Sequence, residues 1–89
     1  MKKVRLQSGF EMELPDGALN NMEMVDALAE MESDEDPLAV SRILKAILGE
    51  KKRKELYKHL RTEDGYVPVE RVVEAVREIF AAYGNSGKN

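Results

Sequence analysis

The 54-residue stretch from Asp36 to Asn89 is punctuated like a set of short helices, with proline or an acidic cap at each start and glycine near each end. Asp36-Pro37 supplies an N-cap and a first helical residue, where the missing proline N–H costs nothing. Val40, Ile43, Leu44, Ile47 and Leu48, joined by Leu38, then cover a wide apolar arc, and Gly49 predicts a left-handed stop. From Glu50 to about Arg61 a further helix is expected, with only Leu56, Tyr57 and Leu60 to bury and a Lys-Arg face toward solvent. Thr62 to Val67 reads as a turn. Pro68 opens the strongest amphipathic pattern, Val69, Val72, Val73, Val76, Ile79, Phe80 and Tyr83, which Gly84 ends.

The N-terminal third has a different period. Val4, Leu6, Phe10, Met12 and Leu14 alternate with polar residues around Ser8-Gly9, which predicts a hairpin over roughly 2–7 and 10–14. Two strands alone are marginal in water, so their apolar face must rest on helices. Pro15-Asp16-Gly17 ends the hairpin. Asn20 with Glu23 fits a capping box, and the helix it opens runs to about Glu32 with Met24, Val25, Leu28 and Met31 on one stripe. Ser33-Asp34-Glu35 breaks it. The expected fold is mainly α (α+β): an N-terminal β-hairpin packed on about four short helices, one domain over residues 1–84, and a frayed polar tail over 85–89.

Size and charge narrow the classes. A chain of 89 residues buries only about 60–65% of its unfolded surface, so its core is small. With no cysteine, disulfides, thiolate metal sites and cysteine nucleophiles are excluded. The basic start MKKVRLQSGF lacks the apolar stretch of about 7–15 residues that a signal peptide needs, and no run approaches the ~20 apolar residues of a membrane span. A cytoplasmic protein is expected. The net charge of −3 conceals a segregation: ten acidic residues and no Lys or Arg from Glu11 to Asp36, then eight basic and two acidic residues from Arg42 to Arg61. Either these are solvated helix faces, or copies of the chain associate through them.

Signals for chemistry are weak. A calcium loop centred on Gly65 would place its first and twelfth ligands on Leu60 and Arg71, which offer no carboxylate. His59 is the only histidine and has no companions at zinc-ligand spacing, so it reads as a solvent-facing residue. The serines lack a base apart from that histidine, and the glycines are scattered rather than gathered into a phosphate loop. No enzyme and no cofactor are expected. The run Lys51-Lys52-Arg53-Lys54 could neutralise phosphates. However, the chain is acidic overall and no aromatic platform interleaves with the charges, which argues against nucleic acid as a partner. Methionines confined to the first third, Met24 and Met31 among them, suit either core filling or an adaptable partner surface.

Ile47-Leu48-Gly49, then a charged helix, then Asp64-Gly65-Tyr66 and Glu78-Ile79-Phe80 occur in an order that resembles the short tail assembly chaperones of long-tailed bacteriophages and prophages. The resemblance covers most of the chain, best from Pro37 to Tyr83, and rests on order and spacing. It implies a protein that coats the phage tape measure protein and keeps it soluble before the tail tube polymerises. The tail tube protein and copies of the chain itself are further candidate partners, and the host bacterial cytoplasm is the expected location. In many such phages a ribosomal frameshift adds a second domain. Gly87-Lys88-Asn89 permits this, since GGA AAA AAC contains the slippery heptamer A AAA AAC. Under this reading Met24, Leu28 and Met31, with Phe80 and Tyr83, are the candidate partner-binding residues. The alternatives are a small nucleic-acid-binding or regulatory module acting through Lys51, Lys52, Arg53 and Lys54 on the basic helix 51–61, or a phage neck or head-completion protein.

Overall fold

The computed structural model describes residues 1–34 and 36–86. It is mainly helical, with a two-stranded antiparallel hairpin followed by three helices: β1 (Lys2–Arg5), β2 (Glu11–Leu14), α1 (Met22–Asp34), α2 (Pro37–Leu60) and α3 (Val69–Ser86). The hairpin register pairs Val4 with Met12 and Lys2 with Leu14. Alternation puts Val4, Leu6, Met12 and Leu14 on the buried face, as period two requires. The ladder is shorter than the alternation suggested. Beyond Arg5 the chain turns through Leu6 N–H to Phe10 carbonyl and Gly9 N–H to Leu6 carbonyl bonds, both 2.9 Å, with Gly9 at φ 99°.

The helix count is three where about four were expected. The break expected at Gly49, with its positive φ, is present, but the helical runs on either side of it are the two arms of one element, α2, bent at that residue. Gly49 has φ 74° and ψ −176°, so it is non-helical inside an otherwise helical run. The start is as expected: the Asp36 carboxylate accepts a 3.0 Å bond from Leu38 N–H, and Pro37 occupies the first turn. Ile43 and Leu44 are fully enclosed and Val40 and Ile47 nearly so, while Leu38 points outward at 69% exposure. The neighbouring Ala39 and Val40 are buried in the same turn, so Leu38 lies on the outer side of the helix. In the second arm Leu56 and Leu60 are buried and Tyr57 is half-buried.

α1 begins one residue later than the capping box predicted. The cap is Asn21, whose side chain accepts from Glu23 N–H at 2.9 Å, while its carbonyl accepts from Met24 and Val25. Asn20 closes the preceding turn by donating to the Gly17 carbonyl. The reciprocal Glu23 contact does not form. α1 extends to Asp34. α3 follows Pro68, whose carbonyl accepts from Arg71 and Val72, and it continues to Ser86, past the stop expected at Gly84. The expected tail over 85–89 is thus helical at its first two positions, and Gly87-Lys88-Asn89, with the frameshift reading, lies outside the described residues. Thr62–Val67 forms the expected turn, closed by Thr62 N–H to the Tyr66 carbonyl at 2.7 Å.

The core is continuous: the hairpin face, Ala27 and Met31 of α1, both arms of α2, and Val72, Ala75, Val76 and Ile79 of α3. α2 is its centre and packs against α1, α3 and β2. Among the described residues, no helix is long and apolar enough to cross a membrane.

Candidate functional site

α1 and α3 flank α2, and their apolar edges leave a groove of about 310 Å³ between them. Leu19, Val25, Leu28, Phe80 and Tyr83 line it, with Asn20 at its rim. Three of the five partner candidates named from the sequence, Leu28, Phe80 and Tyr83, therefore meet in one place, each partly buried. Met31 does not join them. It is 1% exposed, and its side chain is enclosed in the core, out of a partner's reach. Met24 is half-buried but faces the other side of α1, toward α2.

The groove is held at both ends. One helical turn beyond Leu28 and one turn before Phe80, Glu32 and Arg77 join α1 to α3 through a forked pair, with Arg77 donating from Nε and Nη2 at 2.8–3.1 Å. At the other end the Tyr83 hydroxyl donates to the Pro15 carbonyl at 2.8 Å. Burial and the nearby Asp16 carboxylate push its phenol above the usual tyrosine range.

The hydrogen-bonded Arg77 guanidinium holds the Glu32 carboxyl below the ordinary glutamate range, against an opposing push from desolvation. A lowered folded pKa contributes stability that is fully present above the unfolded value near 4.5 and is lost as the pH falls through the lower folded value. Glu32→Gln should therefore lower Tm at pH 7, and the gap to the parent should close as the pH is taken toward 3. A gap of constant size across a series of melts would show that the pair does not couple to folding. The effect is small, because both side chains are about half exposed.

The basic run is largely occupied within the chain. Lys52 pairs with Glu55 at 3.2 Å and lies 5.9 Å from the Phe10 ring, and Lys54 pairs with Glu50 at 3.1 Å. Arg53 stacks its guanidinium 5.7 Å from the Tyr57 ring, with its Nε buried and no acceptor among the described residues. Lys51 is exposed and has no ion pair among the described residues. These side chains point in different directions and do not present four donors along one line.

His59 is exposed yet has a structural role that its isolation in the sequence concealed. Its Nε2 bonds the Ser8 carbonyl at 3.0 Å, and its ring lies 5.4 Å from that of Phe10, tilted by 51°. It ties the hairpin turn to the second arm of α2. The Gln7 N–H donates to Glu78 at 2.7 Å and ties the same turn to α3. Among the described residues, no three His, Asp or Glu side chains cluster closely enough to hold a metal ion.

Sequence reasoning missed Leu19 as a groove residue and placed Val25 on the buried stripe, whereas Val25 is 44% exposed at the groove mouth. Leu19 lies in the short turn Gly17-Ala18-Leu19-Asn20, where no period marks it as buried. No protein-family model matches the chain, and no curated protein or solved structure matches it significantly.

Proposed function

We propose that this chain is a non-catalytic assembly chaperone of the phage tail type, which covers apolar stripes of a long helical tape measure protein until the tail tube forms around it. The groove between α1 and α3 carries the binding part of this reading. It offers a row of apolar side chains, Leu19, Val25, Leu28, Phe80 and Tyr83, clasped at one end by the Glu32–Arg77 pair. An amphipathic helix presents ridges at three- and four-residue spacing that fit such a trough. The charged neighbours limit non-specific collapse onto it. The order of motifs from Pro37 to Tyr83 supplies the identity of the partner.

The test is co-expression with the tape measure protein of the same genome, scored by solubility and by association with a tagged copy of this chain. The expected result is a soluble tape measure carrying many copies. Val25→Glu, at a half-exposed position that the fold does not depend on, should abolish co-purification while leaving the far-ultraviolet spectrum and Tm unchanged. If Val25→Glu retains the tape measure undiminished, the groove is not the site. If the tape measure stays insoluble with both this chain and any frameshifted longer form, the reading fails.

A further inference from the structure

On the face opposite to the α1–α3 groove, α1 and the first arm of α2 enclose a broader trough of about 650 Å³. Its walls carry opposite charges. Glu23, Asp26 and Glu30 project from α1, spaced three and four residues apart so that they share one stripe. Arg42 and Lys45 project from α2. Met24, Ala27 and Ala46 form the floor. Near the connection between the helices, Arg42 is already bonded to Glu30. Farther along, Glu23, Asp26 and Lys45 line the same trough and make no ion pair among the described residues.

We infer that this trough is the interface of a two-fold symmetric dimer of the chain, in which the acidic wall of each copy lies on the basic wall of the other. Symmetry and charge together carry the inference. A face with one acidic and one basic wall becomes complementary to itself when rotated about a two-fold axis that runs along the trough. The short link between α1 and α2 makes them antiparallel neighbours. That axis keeps each residue at its own height, so Lys45 of one copy meets the level of Glu23 and Asp26 on the other, and the contact occurs twice. A two-fold axis across the trough would instead stack α1 on α1, with like charges opposed. Shallow, small-residue floors at Ala27 and Ala46 let the helices approach, and Met24 adapts its shape to the gap. A partner of a single charge sign would satisfy one wall and be repelled by the other, so a second copy fits better than an unrelated acidic or basic protein.

The inference goes beyond the chaperone reading and stands without it. The dimer face and the α1–α3 groove lie on different sides of α1, so both can be occupied at once.

Sedimentation equilibrium of the full chain from about 10 µM to about 1 mM, at low and at high salt, is the test. The expected parent behaviour is a monomer–dimer equilibrium that salt weakens. Lys45→Glu and Asp26→Lys should each weaken dimerisation about tenfold or more, with unchanged far-ultraviolet spectra. Mixing the two variants should restore a dimer, because both contacts are then complementary. The glutamate introduced on α2 of one variant faces the lysine introduced on α1 of the other, and the native Asp26 of the first faces the native Lys45 of the second. The double variant should also dimerise on its own. A parent that stays monomeric throughout overturns the inference. So does a dimer indifferent to both single variants, or a mixture of the two that remains monomeric.

Discussion

Leu56→Ala should destabilise the domain by about 2–5 kcal/mol, a large part of the roughly 4–13 kcal/mol that a chain of this length commands. Leu56 is fully enclosed, and it lies on an arm that buries little else. Between Gly49 and Arg61 only Leu56 and Leu60 are buried, with Tyr57, Lys52 and Arg53 partly so, and the other positions are exposed and polar or charged. Removing Leu56 therefore does more than open a cavity. It loosens the arm that carries His59 and Lys52, and with them the contacts to Ser8 and Phe10 that steady the hairpin turn. Urea unfolding followed by circular dichroism reads the loss, with Lys54→Ala as the control. Lys54 pairs with Glu50 on the surface, and that substitution should change stability by less than about 0.5 kcal/mol. Hydrogen exchange separates two outcomes. Local release of the arm would raise exchange over residues 50–60 first, and global loss would raise it everywhere. A measured cost below about 1 kcal/mol would mean that the arm is not docked as described.

How far the fold could be read in advance depends on what each signal encodes. Helix starts were legible where a cap and a proline stand together, as at Asp36-Pro37, because the side-chain bond and the fixed φ act locally. They were less so at Asn20-Asn21, two equivalent caps in succession. The Gly17–Asn20 turn commits Asn20 elsewhere, and that is a contact no window of sequence displays. In α3 the apolar period found the centre of the buried face, Val72, Val76 and Ile79, but it also included Val69, which is 50% exposed in the first turn, and it passed over the buried Ala75. In α1 the same rule left the rotation loose. Met24, Val25, Leu28 and Met31 all lie within one wide arc, yet only Met31 turns fully inward, accompanied by Ala27, whose small side chain gave no signal.

The candidate groove was half legible for a related reason. Leu28, Phe80 and Tyr83 were candidates under the resemblance, but their meeting depends on how α1 and α3 are seated on α2. Leu19, from the linker, and Val25, from the exposed edge of the arc, complete the surface, and each looked ordinary in sequence. The bend in α2 was the hardest to see. A glycine after Ile47-Leu48 signals an end to the helix, and nothing in the residues distinguishes a full stop from a single-residue kink followed by more helix.

At that kink, the three substitutions Gly49→Ala, Gly49→Asn and Gly49→D-Ala should give a pattern specific to the observed backbone. Gly49 combines φ 74° with ψ −176°, an extended conformation of the wrong hand for L-residues and essentially reserved for glycine. It differs from the left-handed helical cap, where ψ is near +47° and asparagine is tolerated. Space is not the obstacle, because a Cβ at this position would meet nothing within 4 Å. The cost is therefore conformational: about 1–3 kcal/mol for Gly49→Ala, with Gly49→Asn no better. For a D-residue this conformation is itself favoured, because it is the mirror image of the extended region that L-residues prefer. D-Ala at 49, introduced by chemical synthesis, should match glycine or stabilise the fold by up to about 1 kcal/mol through a less flexible unfolded chain. Rescue by asparagine would show that the chain passes through an ordinary left-handed cap, and the two arms would then be separate helices. If all three variants melt together with the parent, Gly49 is not held in this conformation. The ordering D-Ala at or above Gly, both well above Ala and Asn, would establish that one constrained residue sets the angle between the two arms of α2. That angle places Leu56 in the core and carries His59 to the hairpin.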